Sequence, residues 1–375
     1  MTTLIVGVST RAMAQSAVRA GYAVRTVDYF GDWDQRQCCS NLSLRRDLNE
    51  PFSAWGLFRA AAHDGVRPYH GVVYLANLEN HPEVIAAFAA RWPLLGNDPA
   101  TVAGVRHWET LGAALASWGF RMPRTPPGGS ALPPGRWLRK PRRSGGGAGI
   151  VPWPGGPPGP DCVVQEYVPG RPCSVAFAAD GRRGVILGIS EQLIGRGEFG
   201  ATGFRYCGNI FPLTADGVDL SRLRTHLQAL VDRLVDRFGL RGVGGVDFIL
   251  DGQDPVVLEV NPRYTGAMEL IERATGLSVF ETHLHAATGA LPADPPAEPP
   301  HGIWWGKAIV FAPRAVVAGD PTAWLQRGIC DVPCAGDRIP AGRPVCTVLA
   351  QGPSRAACLA ALESCAREVY RDLYG

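Results

Sequence analysis

Residues 254–272 read DPVVLEVNPRYTGAMELIE. The first eight are mostly apolar and β-branched, as a strand requires, yet they carry a carboxylate at Glu259 and an amide at Asn261. Alternation along a strand puts these two on one face and leaves Val256, Leu258 and Val260 for the other. Just upstream, GVDFIL at 245–250 is a second such run, and the DGQD between them reads as a hairpin. A loop of three or five residues sets Asp247 directly opposite Glu259, with Cβ atoms about 5 Å apart, whereas an even loop turns Asp247 to the wrong face. The odd loop is therefore expected.

Two carboxylates opposed on one sheet face repel each other unless something positive sits between them. Asp247, Glu259 and Asn261 offer only oxygen ligands, with no His or Cys nearby. That set suits a hard divalent cation such as Mg²⁺, which prefers to be shared with phosphate groups. Arg263, two residues past Asn261, adds a planar fork for phosphate oxygens. A solvated strand face would explain the alternation alone but not the residues that follow it.

A second stretch points the same way. WLRKPRRSGGGAGI at 137–150 places Lys140 at the end of a short strand, ahead of a loop containing Ser144, Gly145, Gly146 and Gly147. Without Cβ atoms such a loop can close its N–H groups around phosphate oxygens. It is not a P-loop, because the lysine precedes the glycines and no Gly-Lys-Ser/Thr follows. A glycine-rich linker is the alternative reading. The strand CVVQEYVPG at 162–170, with Gln165, Glu166, Tyr167 and Val168, and the lysine leading into the loop favour a nucleotide.

At 375 residues the chain is long enough for two or three domains. Its 46% apolar and 19% charged residues describe a soluble globular protein. A net charge of +3 gives no basic stripe, so nucleic acid is not implied. No run of 18 apolar residues occurs and no cationic segment precedes MTTLIVGVST, so neither a membrane span nor a leader is expected and the location is read as cytoplasmic. The ten cysteines are scattered without a CxxC and are read as reduced structural thiols. The eight histidines show no general-base pattern, and His283 with His285 reads as lining a helix face.

Along the chain, TLIVGV, RAMAQSAVRAG and YAVRTVDYF form a β-α-β unit of a parallel sheet. Its first turn, Gly7 to Ala12, lacks the glycine triad of a dinucleotide site. HGVVYLAN and HPEVIAAFAARW extend this domain to about Gly96, and a helix is expected from about His107 to Trp118. The proline-rich stretch at 292–302 reads as an extended connector before WWGKAIVFA. The segment 190–212, SEQLIGRGEFGATGFRYCGNIFP, reads as an active-site cover, with Gln192, Arg196, Arg205 and Tyr206 as substrate contacts.

The series of Lys140 with its glycine loop, VVQEYVPGR, GVDFI and VVLEVNPR resembles the ATP-grasp superfamily in order and spacing. Within it the chain is similar to the predicted ATP-dependent carboligases related to biotin carboxylase. The resemblance implies an α/β fold, α+β in its middle part. Residues 1–97 would form a Rossmann-like pre-ATP-grasp domain, 98–300 the ATP-grasp nucleotide-binding domain, and 301–375 a small C-terminal segment like that of biotin carboxylase. It implies ATP with Mg²⁺, or Mn²⁺ as the alternative ion. Lys140 would contact the phosphates, main-chain groups near Glu166 and Val168 the adenine edge, and the loop 144–149 the β and γ phosphates. Asp247, Glu259 and Asn261 would hold the metal, and Arg263 would steady the transferring phosphoryl group. Tyr264 to Met268, including Gly266, would border the acceptor.

Two departures stand out. The ribose carboxylate that many relatives place after the hinge is replaced by Cys173 and Ser174, and a lysine that often precedes the glycine loop is replaced by Arg106. The implied activity is an ADP-forming ligase joining a small carboxylate to an amine through an acyl phosphate, with glutamate and an aromatic amine of C1-carrier cofactor assembly as one pairing. Arg196 and Arg205 would then face the glutamate. A bicarbonate-using carboxylase is the alternative, although Ala267 and Met268 are followed by Glu269 rather than by a biotin-bearing lysine. A sensor that has lost catalysis is a third reading. A homodimer is the assembly the resemblance admits.

Overall fold

The computed structural model describes residues 2–63, 68–127, 130–292 and 302–375. Apart from its first and last residues, the expected connector at 292–302 lies outside them. The chain opens with β1 (Thr3–Val6), β2 (Val24–Asp28), β3 (Ser40–Ser43) and β4 (Gly71–Tyr74). They form a parallel sheet in the order β3-β2-β1-β4. The helix α1 (Arg11–Arg19) crosses between β1 and β2, as the apolar spacing of the sequence requires. The strand order reverses between β1 and β4, and the carboxyl ends of the strands open a crevice there.

A small antiparallel sheet follows, made of β5 (Trp137–Pro141), β6 (Val151–Pro152) and β7 (Cys162–Glu166) in the order β6-β5-β7. The helix before it spans Trp108–Ser117. The largest sheet contains β8 (Arg171–Asp180), β9 (Gly184–Ile194), β10 (Tyr206–Phe211), β11 (Arg241–Asp251), β12 (Asp254–Asn261) and β13 (Trp304–Phe311), ending on the strand Pro344–Gly352. The segment after residue 301 thus has no separate main sheet, because β13 pairs with β10. On one face the helix Leu220–Phe238 buries Leu223, Leu227, Leu230, Val231 and Leu234, the stripe of an amphipathic helix, against Phe177, Val246 and Phe248 of the sheet. It ends at Gly239 with φ +66°, the left-handed conformation that glycine adopts without steric cost.

The hairpin between β11 and β12 differs from expectation in an instructive way. Asp251 pairs with Asp254, so the loop is the two residues Gly252 and Gln253, an even length. Asp247 nevertheless stands opposite Glu259, because the register slips between Asp247 and Phe248, where Phe248 pairs with Val257. Leu258 is the extra residue of a β-bulge, and the bulge does what an odd loop would have done. It also redistributes the valines. Val257 joins Val260 in the core, while Leu258 lines the same cavity as Glu259 and Asn261.

The first sheet is fastened to the rest by buried charge. Arg11, 1% exposed, donates to Glu269 at 2.5 and 3.1 Å and to Asp331 at 2.9 and 3.0 Å. Lys307 donates to the same Glu269 at 2.7 Å. On the helix Val279–Ala287, His283 is buried and bridges Val243 N–H and the Leu95 carbonyl, whereas His285 is exposed. The two histidines do not share a face, because residues two apart on a helix point in nearly opposite directions.

Candidate functional site

The small sheet and the large sheet face each other across a cavity of about 450 Å³. From the small sheet it is lined by Lys140, the loop Ser144, Gly145, Gly146 and Gly147, and the hinge Gln165, Glu166, Tyr167 and Val168. From the large sheet come Asp247, Glu259, Asn261 and Arg263, and the cover contributes Gln192 and Tyr206. Gly266 borders it as well. Arg106 lies in an adjoining cavity with Lys140 and Glu259 and donates to Glu259 at 3.3 Å. Tyr264 lines a third cavity rather than the first.

Arg196 and Arg205 line neither the first nor the third cavity. Arg196 is held by Glu198 at 3.0 Å and Glu363 at 3.1 Å, and Arg205 donates to the Gly342 carbonyl at 2.6 Å. Their charges bind the cover to the C-terminal segment, so the structure does not bring them to the site. Of the two residues standing where a ribose ligand was expected, Cys173 points into the core, while Ser174 faces the cavity and shares a hydrogen bond with Ser190 at 3.1 Å.

The charges are arranged around the opposed carboxylates. Burial and the neighbouring Glu259 raise Asp247 to about 7, although Arg263, the Asn261 amide and Lys140 oppose the rise. Asp247 accepts from Gln192 at 2.9 Å and from Asn261 at 3.0 Å. Burial also works to raise Glu259, but Lys140 at 3.8 Å and Arg106, together with Arg263, outweigh it and hold the carboxylate below its ordinary value. About a third of the Glu259 side chain, 31%, still faces the open cavity, so it remains available to a ligand.

Glu79 is a site residue that sequence reasoning missed. It follows β4 at the carboxyl end of the first sheet, is 2% exposed, and accepts from Arg263 at 2.6 Å. Its other oxygen has no partner, and neither does Arg263 Nε. Arg263 also donates to Asn261 Oδ1 at 3.1 Å and to the Tyr264 carbonyl at 2.8 Å. The place of Glu79 just after a parallel strand was the one available signal, since ligands gather at such strand ends.

The glycine loop is shaped by close approach. At Gly147, φ +74°, a Cβ would lie 1.9 Å from the Phe204 carbonyl oxygen, and Tyr206 N–H donates to the Gly146 carbonyl at 3.0 Å. The loop and the cover therefore lie against one another. At the hinge, Arg124 grips both Glu166 oxygens, at 2.8 and 3.0 Å. The N–H groups of Glu166 and Tyr167 go to the carbonyls of Arg124 and Arg136, so a donor from this segment to a base edge falls to Val168.

The donors at the cavity fit a magnesium ion on chemical grounds. Asp247, Glu259 and the Asn261 amide oxygen are hard ligands from two paired strands, with no nitrogen or sulfur among them. Among the described residues no group of three or more His, Cys, Asp or Glu could hold a metal. A set of two carboxylates and an amide can hold such an ion when phosphates share it.

Residues 108–267 match the family model of the ATP-grasp domain. MJ0776, an uncharacterized protein of Methanocaldococcus jannaschii, is 23% identical over 204 residues, which is 54% of this chain and 46% of that protein. The chain thus spans less than half the length of the curated relatives it matches. The N5-carboxyaminoimidazole ribonucleotide synthetase of Thermus thermophilus superposes with a TM-score of 0.69 at 18% identity, over 100% of this chain and 99% of that one. The L-amino acid ligase of Bacillus licheniformis superposes with a TM-score of 0.66 at 17% identity, over 99% and 97%. Residues 108–267 thus match the ATP-grasp domain, and the chain has a fold similar to that of these two enzymes along nearly its whole length.

Proposed function

We propose that the protein is an ATP-dependent, ADP-forming ligase that joins a carboxylate to an amine through an acyl phosphate. The observation that carries this reading is one cavity that gathers Lys140, the glycine loop, Arg263 and the opposed pair Asp247 and Glu259. In this mechanism a substrate carboxylate oxygen attacks the γ-phosphorus and ADP leaves. The amine then attacks the acyl carbon and phosphate leaves, with the amine proton lost to solvent or to phosphate. Neither step requires a side-chain nucleophile.

Lys140 binds phosphate oxygens as a point charge, and the N–H groups of the glycine loop close over them. Arg263, oriented by Glu79 and Asn261, presents its fork to the transferring group. Asp247, Glu259 and Asn261 would hold the Mg²⁺, which when bound neutralises oxygen charge on the nucleotide. The small sheet and the cover exclude water, protecting the acyl phosphate from hydrolysis.

The pairing of glutamate with an aromatic amine in C1-carrier cofactor assembly rests on Arg196 and Arg205, and the ion pair of Arg196 with Glu363 and the bond of Arg205 to the Gly342 carbonyl remove that support. The carboxylate is therefore left as a small acid. A carboxylase reading, with bicarbonate as the acid, shares the fold with the ribonucleotide synthetase relative. The test is ADP release by purified protein with Mg-ATP against carboxylates, amines and bicarbonate, with Glu259→Gln as the blank. Release that needs a carboxylate and an amine supports the ligase, release that needs bicarbonate supports the carboxylase, and nucleotide binding with no release supports the sensor.

A further inference from the structure

The cavity that adjoins the nucleotide space has a volume of about 280 Å³ and is bounded by the small sheet and by the helices that end at Arg106 and begin at Trp108. Glu79, Lys140, Gln165 and Glu259 line both spaces, so the two share a wall at Lys140. Four cations line the adjoining cavity: Arg106, Lys140, Arg142 and Arg143. Its acids are Glu79 and Glu259, and both are committed, the first to Arg263 at 2.6 Å and the second to Arg106 at 3.3 Å and Lys140 at 3.8 Å.

Arg142 and Arg143 are the uncommitted pair. Both are exposed, and among the described residues neither side chain is paired with an acid. The Arg142 guanidinium lies over the Trp108 ring, 5.8 Å from its centroid. Such stacking uses the face of the guanidinium and leaves free its in-plane N–H groups, the edge that grips an oxyanion with two bonds. With Glu79 spent on Arg263, one acid faces four cations, and that surplus of positive charge calls for an anion. Solvent alone matches an arginine on an open surface. These two instead line a concave space, and its volume is below the roughly 300 Å³ at which pockets for organic ligands begin, so it suits a small anion. Arg139 belongs to the same RKPRR stretch, but it lies on the other face of β5 and lines neither cavity.

Resting on the ligase reading for the source of its ligand, we propose that this cavity is a second anion site, in which Arg142 and Arg143 hold inorganic phosphate beside Arg106 while the nucleotide still fills its own cavity. The phosphate that the reaction releases reaches the site past Lys140.

The experiment is calorimetric titration of inorganic phosphate into the full chain saturated with Mg²⁺ and the imido analogue of ATP, whose γ group already fills the position of the transferring phosphoryl. One equivalent of phosphate is expected to bind without displacing the nucleotide. The double variant Arg142→Ala with Arg143→Ala should weaken phosphate at least tenfold and leave the affinity for the analogue within twofold. Arg139→Ala, which removes an equal charge from the other face of the strand, should leave phosphate binding unchanged. Absence of phosphate binding, displacement of the analogue by phosphate, unchanged binding in the double variant, or an equal loss in Arg139→Ala overturns the proposal. ADP release separates the two readings. If phosphate binds as expected yet no carboxylate and amine yield ADP, the ligase reading falls and the anion site stands. If ADP is released but phosphate does not bind beside the nucleotide, the anion site falls and the ligase reading stands.

Discussion

Asp247 and Glu259 face each other across β11 and β12 because Leu258 is one residue too many for the ladder. The hairpin turn has two residues, and without the bulge its even count would pair Asp247 with Leu258 instead. Deleting Leu258 should therefore remove the bulge and leave Asp247 paired with Glu259 in a regular ladder. The expected outcome is Mg-dependent nucleotide binding retained in titration calorimetry, with far-ultraviolet dichroism showing the sheet retained; loss of binding would contradict the account of the bulge.

Glu259→Gln and Asn261→Ala each remove a proposed metal ligand without opening the core. Each should lower ADP release by roughly 100-fold or more while changing the melting temperature little. Full activity in both variants would refute the metal assignment.

Gly147→Ala should be costly for two reasons. The position has φ +74°, and the added methyl would lie 1.9 Å from the Phe204 carbonyl. Backbone strain of this kind is worth about 1–3 kcal/mol. Because the loop and the cover must part, a higher KM for ATP is expected than for a control such as Gly155→Ala, which has open space around it.

His283 is held neutral. Burial depresses it to about 4 from an ordinary value of 6.5, against the opposing effect of its bond to Leu95. The unfolded chain then binds a proton that the folded chain refuses between those values. Stability present above pH 6.5 is lost as pH falls toward 4, by roughly 3 kcal/mol at most. Denaturant unfolding of His283→Gln should show a flatter pH slope across that window, and an equal slope would contradict the account.

Arg11→Ala removes the cation shared by buried Glu269 and Asp34 and half-buried Asp331, leaving Lys307 on Glu269. Burial alone would raise Glu269, yet Arg11 and Lys307 hold it well below its ordinary value. Removing one partner of such a network costs about 3–5 kcal/mol. Thermal unfolding should show either a large drop in midpoint or an earlier, separate transition of the first sheet.

Much of the nucleotide cavity was legible in the chain. Glu259 and Asn261 share a face through alternation, and Lys140 leads into a loop of glycines; both are relations between near neighbours. Arg196 and Arg205 misled because exposed loop arginines take whichever acid folding brings near, here Glu363 for the first and a carbonyl for the second. Nothing local distinguishes those partners from a substrate.

Local pattern by itself determined the parallel first sheet, the hairpin of β11 and β12 and the glycine-rich loop after Lys140, because strand period and glycine freedom act over a few residues. The tertiary structure alone decided the bulge at Leu258 and the hold of Glu79 on Arg263 across 184 positions. These depend on how separate sheets dock, and docking is set by packing and buried charge summed over the whole chain.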